Sequence, residues 1–289
     1  MKQRYTAFLL FCLLAFVSCN IINPSEEEAS YIVINSVNVT TDVAMQGSNA
    51  SNISDAWIYV DDNLVGAFKL PCRIPVLHSG SHKVSIGAGI QLNGSSSLRT
   101  PYLFYRFHEQ ENVNLEPGQT TIISPTFSYF DSLTFAFKAN FDDLSGNKLT
   151  STSSSDTTLS LCNNSDPRVF EGAGSCLVQL FRDSGFVDFQ MIDPVSLPKG
   201  GANVFMEINY KNNQDLFVGL RSYYSGASTQ EEQVITLRPS ESWNKVYINL
   251  TRQVSSQINA SNYRIFFQTT KPSGSEPLEV LIDNFKIIY

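Results

Sequence analysis

The stretch of this chain best suited to ligand binding is "RSYYSGASTQ", residues 221–230, where two adjacent tyrosines lie between an arginine and a glutamine. Sugar rings bind by laying their apolar faces on tyrosine or tryptophan, while polar groups bond the hydroxyls. Tyr223 and Tyr224 are therefore candidate stacking residues, and Arg221 and Gln230 are candidate hydrogen-bonding residues. In the structural alternative, one tyrosine packs inward and the other borders a loop.

Carboxylates at suitable spacing could instead hydrolyse a glycosidic bond, which requires two acids at a set separation, one with a raised pKa. The acidic pairs in this sequence are immediate neighbours in turn-like segments, and neighbours in a strand point to opposite faces. These pairs are Asp61-Asp62, Asp142-Asp143 and Glu231-Glu232. We therefore expect a protein that is not an enzyme.

Histidine chemistry is confined to the first half of the chain, which holds His78, His82 and His108. The first two are four residues apart, the spacing of a zinc-binding pair on a helix. Ser79 and Gly80 lie between them and predict a turn, so the two rings would not share a helix face. The pattern favours exposed turn histidines over a zinc site.

Cys19 ends a segment with the charge and apolar order of a secretory signal. Lys2 and Arg4 precede an apolar run over residues 7–17, shorter than the roughly 20 residues that span a bilayer as a helix. The segment "FVSC" resembles the bacterial lipoprotein signal, with Phe16 where that signal prefers leucine. The resemblance implies that residues 1–18 are removed, that Cys19 carries a lipid anchor, and that acyl chains hold the protein on a membrane.

Three further cysteines remain in the mature chain. Cys162 and Cys176 flank a segment rich in Asn, Asp and Gly, and an oxidising compartment would allow them to form a disulfide. The alternative is two separate buried thiols. Cys72 is left over as a small apolar residue of the predicted strand "CRIPVL".

Composition agrees with an exported, β-rich protein. The chain has 20 basic and 27 acidic residues, so loss of Lys2 and Arg4 with the signal leaves 18 against 27, a net charge of −9. Nucleic-acid binding is disfavoured because it requires clustered Lys and Arg. An acidic spacer follows Cys19 over residues 19–29, and the remaining length fits one large or two medium domains.

Residues 30–131 consist of short β-branched and aromatic runs separated by turn residues, typical of a small β-sandwich. "YIVINSVNV" alternates as a half-buried strand does, and Asp61, Asp62 and Asn63 divide a predicted hairpin. The order of these runs resembles exported modules of the PEGA or carboxypeptidase-regulatory type, which act as spacers. The matching positions are Asp61, Gly66, Pro71, Gly80, His82 and Val84, with Asn63 where these modules carry glycine.

Residues 132–289 contain strands at regular spacing, which favours a sandwich over a βαβ fold. "RQVSSQINAS" predicts one short helical connector. The opening "NFDD", the central "FEGAGSCLVQL" and the closing "VLIDNFKI" resemble galactose-binding-like jelly rolls of carbohydrate-binding modules and of Bacteroidota lipoproteins. The resemblance implies that the first and last strands pair. The predicted fold class is all-β: a small β-sandwich followed by a jelly-roll sandwich.

In jelly rolls of this kind, the early acidic and late "DN" positions often hold a structural calcium ion. "NFDD" and "LIDNF" resemble those positions, so the resemblance implies a calcium site at Asp142 and Asp283. Oxygen ligands at strand ends suit this ion. The alternative is that both aspartates only cap turns.

The pattern as a whole indicates a lipid-anchored binding protein of the cell envelope, on the periplasmic or surface side of the outer membrane. Its favoured ligand is a glycan, which rests on the resemblance and not on a catalytic or binding motif. One alternative is a structural or adhesive envelope subunit that binds a partner protein. A component of a glycan-degrading hydrolase ranks third.

Overall fold

Strands form nearly all the regular structure of the computed structural model, which describes residues 27–143, 146–226 and 228–289. The first half contains ten strands and one short helix within the described residues. In chain order these are β1 (Ser30–Ile34), β2 (Asn38–Thr40), α1 (Val43–Gln46), β3 (Asp55–Val60), β4 (Asn63–Lys69), β5 (Cys72–Val76), β6 (Gly80–Gln91), β7 (Arg99–Pro101), β8 (His108–Leu115), β9 (Thr120–Ile122) and β10 (Thr126–Ser128).

The second half adds eleven strands and a second short helix within the described residues. They are β11 (Phe135–Ala139), β12 (Leu149–Ser151), β13 (Leu159–Asn163), β14 (Gly174–Leu180), β15 (Phe186–Met191), β16 (Phe205–Asn212), β17 (Leu216–Tyr224), β18 (Thr229–Leu237), β19 (Ser240–Asn249), α2 (Thr251–Ser256), β20 (Ala260–Thr270) and β21 (Leu278–Ile288). The predicted all-β fold class is confirmed, and α2 confirms the predicted connector.

The first half is a small sandwich built on the long strand β6. Strands β3, β7 and β8 all pair with β6, and β4 pairs with β3. The opposite layer contains the sheet β5-β1-β9 and the ladder β10-β2. The predicted hairpin is confirmed: Asp61 and Asp62 form the β3–β4 turn with φ of 49° and 63°. Both angles lie in the left-handed region, as a two-residue hairpin of this twist requires.

The second half is a two-sheet sandwich. One sheet has the order β13-β14-β21-β16-β19, with β11 also on β21, and the other has the order β12-β15-β20-β17-β18. Strand β11 pairs antiparallel with β21 over Phe135–Ala139. The predicted pairing of the first and last strands is therefore confirmed, and it closes the jelly roll.

Alternation along β20 shows how the core and the outer surface are divided. Tyr263, Ile265 and Phe267 point inward and are buried in the sandwich core. Phe267 stacks on Phe189 of β15, with ring centroids 4.9 Å apart. Because strand side chains alternate, Arg264 and the residues two positions on either side point outward. The sequence of β20 therefore determines which of its side chains point away from the core.

A second apolar cluster joins the two halves of the chain. Phe205, Tyr247 and Ile288 of the second half pack into the cluster formed by the strands of the first half. Glu207, on β16, is wholly buried at this junction. Its Oε1 accepts hydrogen bonds from the Tyr102 and Tyr129 hydroxyls of the first half, both at 2.7 Å. A carboxylate of the second half is thus satisfied by donors of the first.

Two lysines balance this buried carboxylate. Lys245 Nζ lies 2.7 Å from Glu207 Oε2 and donates to the Ala50 carbonyl at 2.6 Å. Lys286 Nζ donates to the Ser48 carbonyl at 2.6 Å. Both carbonyls belong to the segment that follows α1. Lysine hydrogen bonds therefore connect that segment to the second half.

Candidate functional site

The outer face of the five-stranded sheet β12-β15-β20-β17-β18 carries two of the predicted ligand residues, Arg221 and Tyr223. We call this surface the outer face. Its rows follow from the strand register and mix amide, charged, hydroxyl and aromatic side chains. Four of the rows are Thr150, Gln190, Phe266, Gly219 and Gln233; Arg264, Arg221 and Glu231; Asn262, Tyr223 and Thr229; and Asp188, Gln268, Phe217 and Thr236.

Arg221 lies in the middle of the outer face and is 6% exposed. Its Nη2 donates to both carboxylate oxygens of Asp188, at 2.9 and 2.8 Å, and its Nε donates to Glu231 Oε1 at 2.7 Å. Nη1 donates to Gln190 Oε1 at 2.8 Å. Burial disfavours the charged guanidinium, but Glu231 and Asp188 outweigh this effect and raise the pKa of Arg221. The charge is therefore fixed in place.

Asp188, on β15, is the buried carboxylate that binds Arg221 Nη2. It is 2% exposed, and its Oδ2 accepts hydrogen bonds from the Thr152 hydroxyl at 2.7 Å and the Ser154 hydroxyl at 3.2 Å. A buried carboxylate with an arginine and two hydroxyl donors is fully compensated. The Ser/Thr-rich segment that precedes β13 thus supports the outer face.

Phe266 lies flat in the space left by Gly219. A Cβ on Gly219 would come within 2.2 Å of the Phe266 ring. The Arg221 guanidinium carbon lies 4.5 Å from the centroid of the same ring. Phe266 is only 3% exposed, so it supports the arginine from below and does not offer a free stacking surface.

Tyr223 is a half-exposed aromatic residue of the outer face. The Arg264 guanidinium carbon lies 5.0 Å from its ring centroid, and Arg264 Nη1 donates to the Tyr223 hydroxyl at 2.9 Å. Arg264 Nε is in turn held by the Ile192 carbonyl at 3.0 Å. The ring is therefore fixed from one side while part of it stays open to solvent.

Tyr224 and Gln230 line a shallow hollow where β17 ends and β18 begins, together with Ser225, Ser228 and Asn259. The Tyr224 hydroxyl donates to Gln230 Oε1 at 3.0 Å and also contacts Gln257. Part of the ring packs against the sandwich core. Because Gln230 pairs with Ser222, the side chains of Tyr224 and Gln230 lie on the side of the sheet opposite Arg221 and Tyr223. The structure thus places two of the four predicted ligand residues on the outer face and the other two away from it.

The predicted calcium ligands lie near the end of the six-stranded sheet. Asp283 is fully buried, and its Oδ2 accepts from the Ser175 hydroxyl at 2.7 Å. Burial, together with the nearby Glu171 and Asp142 carboxylates, raises the pKa of Asp283 to about 7. Asp142 is exposed and accepts from the Ala173 amide at 2.5 Å.

An adjoining pocket of about 290 Å³ is lined mainly by side chains that offer oxygen atoms. They include Asp142, Glu171, Asn140 and Asn284. Oxygen donors of this kind suit a hard divalent cation. Asp283 is not among the lining residues. The donors of this pocket fit calcium, and Asp283 lies beneath them.

The predicted disulfide is wrong. Both thiols are free and buried, and the register pairs Leu161 with Cys176 and Cys162 with Ser175. Residues directly opposite each other share a face, so the two cysteines point to opposite faces of the sheet. Cys176 lies in the sandwich core, whereas Cys162 lies in a small outer cluster with Leu177 and Leu281.

The histidines that the sequence assigned to exposed turns do come together. Asp61, His78 and His82 place ligand atoms within 4.8 Å of one another, and within the described ranges no other set of three does so. The sequence argument tested only the helical spacing of the two histidines. It missed the carboxylate that the neighbouring hairpin turn brings to them.

No protein-family model matches this chain, and no curated protein matches it. Solved structures do align with it, at low similarity. The C-terminal family 22 carbohydrate-binding module of Clostridium thermocellum Xyn10B aligns at 13% identity and a TM-score of 0.38, covering 53% of this chain and 91% of the module. The family 11 module of the cellulase Lic26A-Cel5E from the same organism aligns at 14% identity and a TM-score of 0.34, covering 53% of this chain and 94% of the module.

A third structure, described as one of the carbohydrate-binding modules from the β-sandwich superfamily, aligns over 91% of this chain and 99% of its own length. Its identity is 10% and its TM-score is 0.41. At this level of similarity, the ligand has to be inferred from the side chains.

The predicted lipidation site, Cys19, lies outside the described residues. Among the residues that the structure describes, there is no helix with the length and apolar character needed to cross a membrane.

Proposed function

We propose that the second half of this protein binds a glycan on the outer face. The observation that supports this most directly is the half-exposed Tyr223 ring beside a row of fixed hydrogen-bonding groups. A sugar ring presents an apolar face to an aromatic ring and hydroxyls to the polar groups around it. Arg221 has its donors engaged and acts as a positioning residue.

The polar groups of the outer face suit an uncharged oligosaccharide. The two arginines Arg221 and Arg264 are matched by the two carboxylates Asp188 and Glu231, so neither sign of charge prevails around Arg221. Glu231 is half exposed and bonds Arg221 through Oε1, which leaves Oε2 facing outward as an acceptor. Hydroxyl groups donate to such acceptors without an added charge.

A glycan array probed with the purified full-length chain tests this proposal, followed by calorimetric titration of the glycans that bind. We expect Tyr223→Ala to weaken binding about tenfold, equivalent to about 1.4 kcal/mol. The matched control is Tyr31→Ala. Tyr31 is half exposed in the first half of the chain, and Arg73 lies 3.4 Å from its ring centroid.

Equal losses in Tyr223→Ala and Tyr31→Ala would place the binding surface elsewhere. An array without any bound glycan would overturn the proposal. In that case, specific retention of one cell-envelope protein by the full chain would support the alternative of an adhesive or structural subunit.

We also propose that Cys19 is acylated and anchors the protein to the cell envelope, with the outer membrane as its expected location. The support is the apolar run and the small residue before the cysteine, "VSC". Mass spectrometry of the mature N-terminus should find a lipid-modified Cys19. An unmodified cysteine, or a mature chain that starts at another residue, would contradict this.

A structural calcium ion at Asp142 and Asp283 is the third part of the proposal. Its support is the oxygen-lined pocket at Asp142 and the raised pKa of Asp283, which a nearby cation would lower. Calcium bound only by the folded chain raises the melting temperature by mass action. We expect chelation to lower the melting temperature of the full chain.

Asp142→Asn should remove the effect of chelation on the melting temperature. It is a cleaner test than a change at the buried Asp283, because Asp142 is exposed and its replacement leaves the core intact. Asp283→Ala should remove the calcium sensitivity as well. If chelator leaves the wild-type melting curve unchanged and metal analysis finds no calcium, the calcium site does not exist and both aspartates only cap turns.

A further inference from the structure

A cluster of metal-ligating side chains lies at one end of the first sandwich, far along the chain from the outer face. Asp61 belongs to the β3–β4 turn, His78 lies between β5 and β6, and His82 is the third residue of β6. One ligand atom from each lies within 4.8 Å of the other two. The hairpin turn and the following loop therefore converge on one point.

The His82 ring is oriented by a backbone carbonyl. Its Nε2 lies 3.1 Å from the Ser79 carbonyl oxygen, and its Nδ1 lies 2.7 Å from Asp61 Oδ2. Nε2–H donates to the carbonyl, and the 2.7 Å contact requires a proton on Nδ1 that donates to Asp61; a metal ion bound between these two atoms would replace that proton. Histidines that bind metals in proteins are held in this way, with the second nitrogen donating to a carbonyl or carboxylate.

Asp61 is held just as firmly. Its Oδ1 accepts a hydrogen bond from the Lys83 backbone amide at 3.0 Å, so Oδ2 points toward His82. The Lys83 ammonium turns away from the cluster: it lies 3.5 Å from Asp62 and 3.1 Å from Glu109. The cation of the neighbouring residue is thus engaged outside the cluster.

The third ligand, His78, approaches edge-on. Its ring centroid is 5.0 Å from that of His82, at an interplanar angle of 66°. Ligand atoms of a tetrahedral zinc ion, at about 2.1 Å from the metal, lie about 3.4 Å apart. To bind zinc, the 2.7 Å contact between His82 Nδ1 and Asp61 Oδ2 must lengthen, and any separation between ligand atoms above about 3.4 Å must shorten. Half-exposed histidines and an exposed aspartate can make these small rotations.

We propose that Asp61, His78 and His82 bind Zn²⁺, or a divalent ion of similar preference, with water completing the coordination. Two imidazoles and one carboxylate suit zinc, whereas calcium requires six to eight oxygen ligands. A bound ion would join the β3–β4 turn to the β5–β6 loop. It would therefore stabilise the first sandwich.

The test uses the full-length chain free of any histidine tag, titrated with ZnCl₂ by calorimetry and with Co²⁺ by visible spectroscopy. We expect one ion per chain and a rise in melting temperature on adding Zn²⁺. His78→Ala and His82→Ala should each weaken Zn²⁺ binding by about a hundredfold or more, since loss of supporting groups alone costs 10- to 100-fold.

His108→Ala is the matched control. His108 is the third histidine of the sequence, and in the structure it accepts a hydrogen bond from the Thr126 amide at 3.4 Å, outside the cluster. Binding and the rise in melting temperature should persist in this variant. Asp61→Asn tests the carboxylate, and circular dichroism shows whether each variant folds.

Absence of a bound Zn²⁺ in the wild type would overturn the proposal. Retention of wild-type affinity in folded His78→Ala or His82→Ala would do the same, as would an equal loss in His108→Ala. Ca²⁺ at the same concentration should leave the Co²⁺ spectrum unchanged, which separates this site from the pocket at Asp142.

Discussion

Arg221 illustrates how one buried charge organises a surface. Its guanidinium connects a carboxylate of β15 with a carboxylate of β18, and both partners are held at hydrogen-bonding distance. The side chain that the sequence suggested as a ligand contact thus holds other side chains of the outer face in position. A buried arginine of this kind resists replacement because its partners cannot readily regain water.

We expect Arg221→Met to lower the free energy of unfolding by about 3–5 kcal/mol, because it leaves Asp188 buried without its main partner. The double variant Arg221→Met with Asp188→Leu should lose less than the single variant, since it buries no unpaired charge. Urea denaturation measures both. A single variant as stable as the wild type would show that Arg221 is solvated and not structural.

The three cysteines of the described chain act as buried or half-buried apolar residues. Burial, with Asp166 nearby, raises the pKa of Cys162 to about 11, so its thiol stays protonated at neutral pH. We expect thiol titration of the unfolded mature protein, without reductant, to find Cys72, Cys162 and Cys176 all free. A melting temperature that falls on adding reductant would contradict this.

At the scale of elements, the close approach of β17 and β20 shapes the outer face. Gly219 pairs with Phe266, and the absence of a side chain at residue 219 lets the ring lie across the strand. The ring in turn supports the guanidinium of Arg221. Glycine is required here for space and not for a special backbone angle.

Gly219→Ala should therefore lower the free energy of unfolding by about 1–3 kcal/mol, as overpacking of a filled site does. The added methyl group would meet the Phe266 ring at 2.2 Å and the Glu232 carbonyl at 2.8 Å. It should also weaken glycan binding, because Arg221 must shift with the ring. Chemical denaturation and titration with the bound glycan measure the two effects.

Phe266→Ala provides the control for this effect. In the double variant Gly219→Ala with Phe266→Ala, the new methyl group no longer meets the ring. The loss of unfolding free energy caused by Gly219→Ala should therefore be smaller than in the wild-type background. A coupling of about 0.5–3 kcal/mol is typical for residues in contact. Strict additivity of the two changes would show that the contact does not limit packing.

At the scale of the whole molecule, the buried group around Glu207 joins the two halves. Hydroxyls of Tyr102 and Tyr129 from the first half and the ammonium of Lys245 from the second meet one carboxylate. Apolar packing of Tyr102 with Phe205 and Tyr247 surrounds it. The first half is therefore packed directly against the second.

Glu207→Ala should lower the free energy of unfolding by about 3–5 kcal/mol, because it leaves Lys245 and two tyrosine hydroxyls buried without their acceptor. Since both halves contribute donors, we expect calorimetry to show one transition in the wild type and two in the variant. The exposed pair Arg238 and Asp215 provides a control, and Asp215→Ala should change stability by less than about 1 kcal/mol. Equal effects of the two changes would contradict the role of Glu207.

The same junction predicts a pH dependence through Lys286. Burial lowers the pKa of Lys286 to about 7, against 10.5 ordinarily. Between pH 7 and 10.5, Lys286 is protonated in the unfolded chain but largely deprotonated in the folded chain. The contribution of Lys286 to the free energy of unfolding therefore rises with pH. From pH 7 to 9 we expect a gain of about 2 kcal/mol that Lys286→Met abolishes. An identical pH profile in both proteins would refute this.

Several features could be predicted from short stretches of sequence. The alternation along strands such as β20 follows from apolar residues at every second position. The β3–β4 turn follows from two aspartates, which tolerate the left-handed backbone. The pairing of the first and last strands of the second sandwich followed from the resemblance of its opening and closing motifs to those of galactose-binding-like jelly rolls. The candidate site was harder to predict, because the sequence selected Tyr223 and Arg221 but did not reveal the hydrogen-bond partners of Arg221.

The sequence by itself determined the fold class and the positions of most strands. These depend on local periodicity and turn chemistry, which neighbouring residues decide. Only the tertiary structure decided which side chains meet. Cys162 and Cys176 are separated by strand register, Asp188 reaches Arg221 across the sheet, and Asp61 meets two histidines through a hairpin. Such contacts depend on how distant strands pair, which local pattern does not specify.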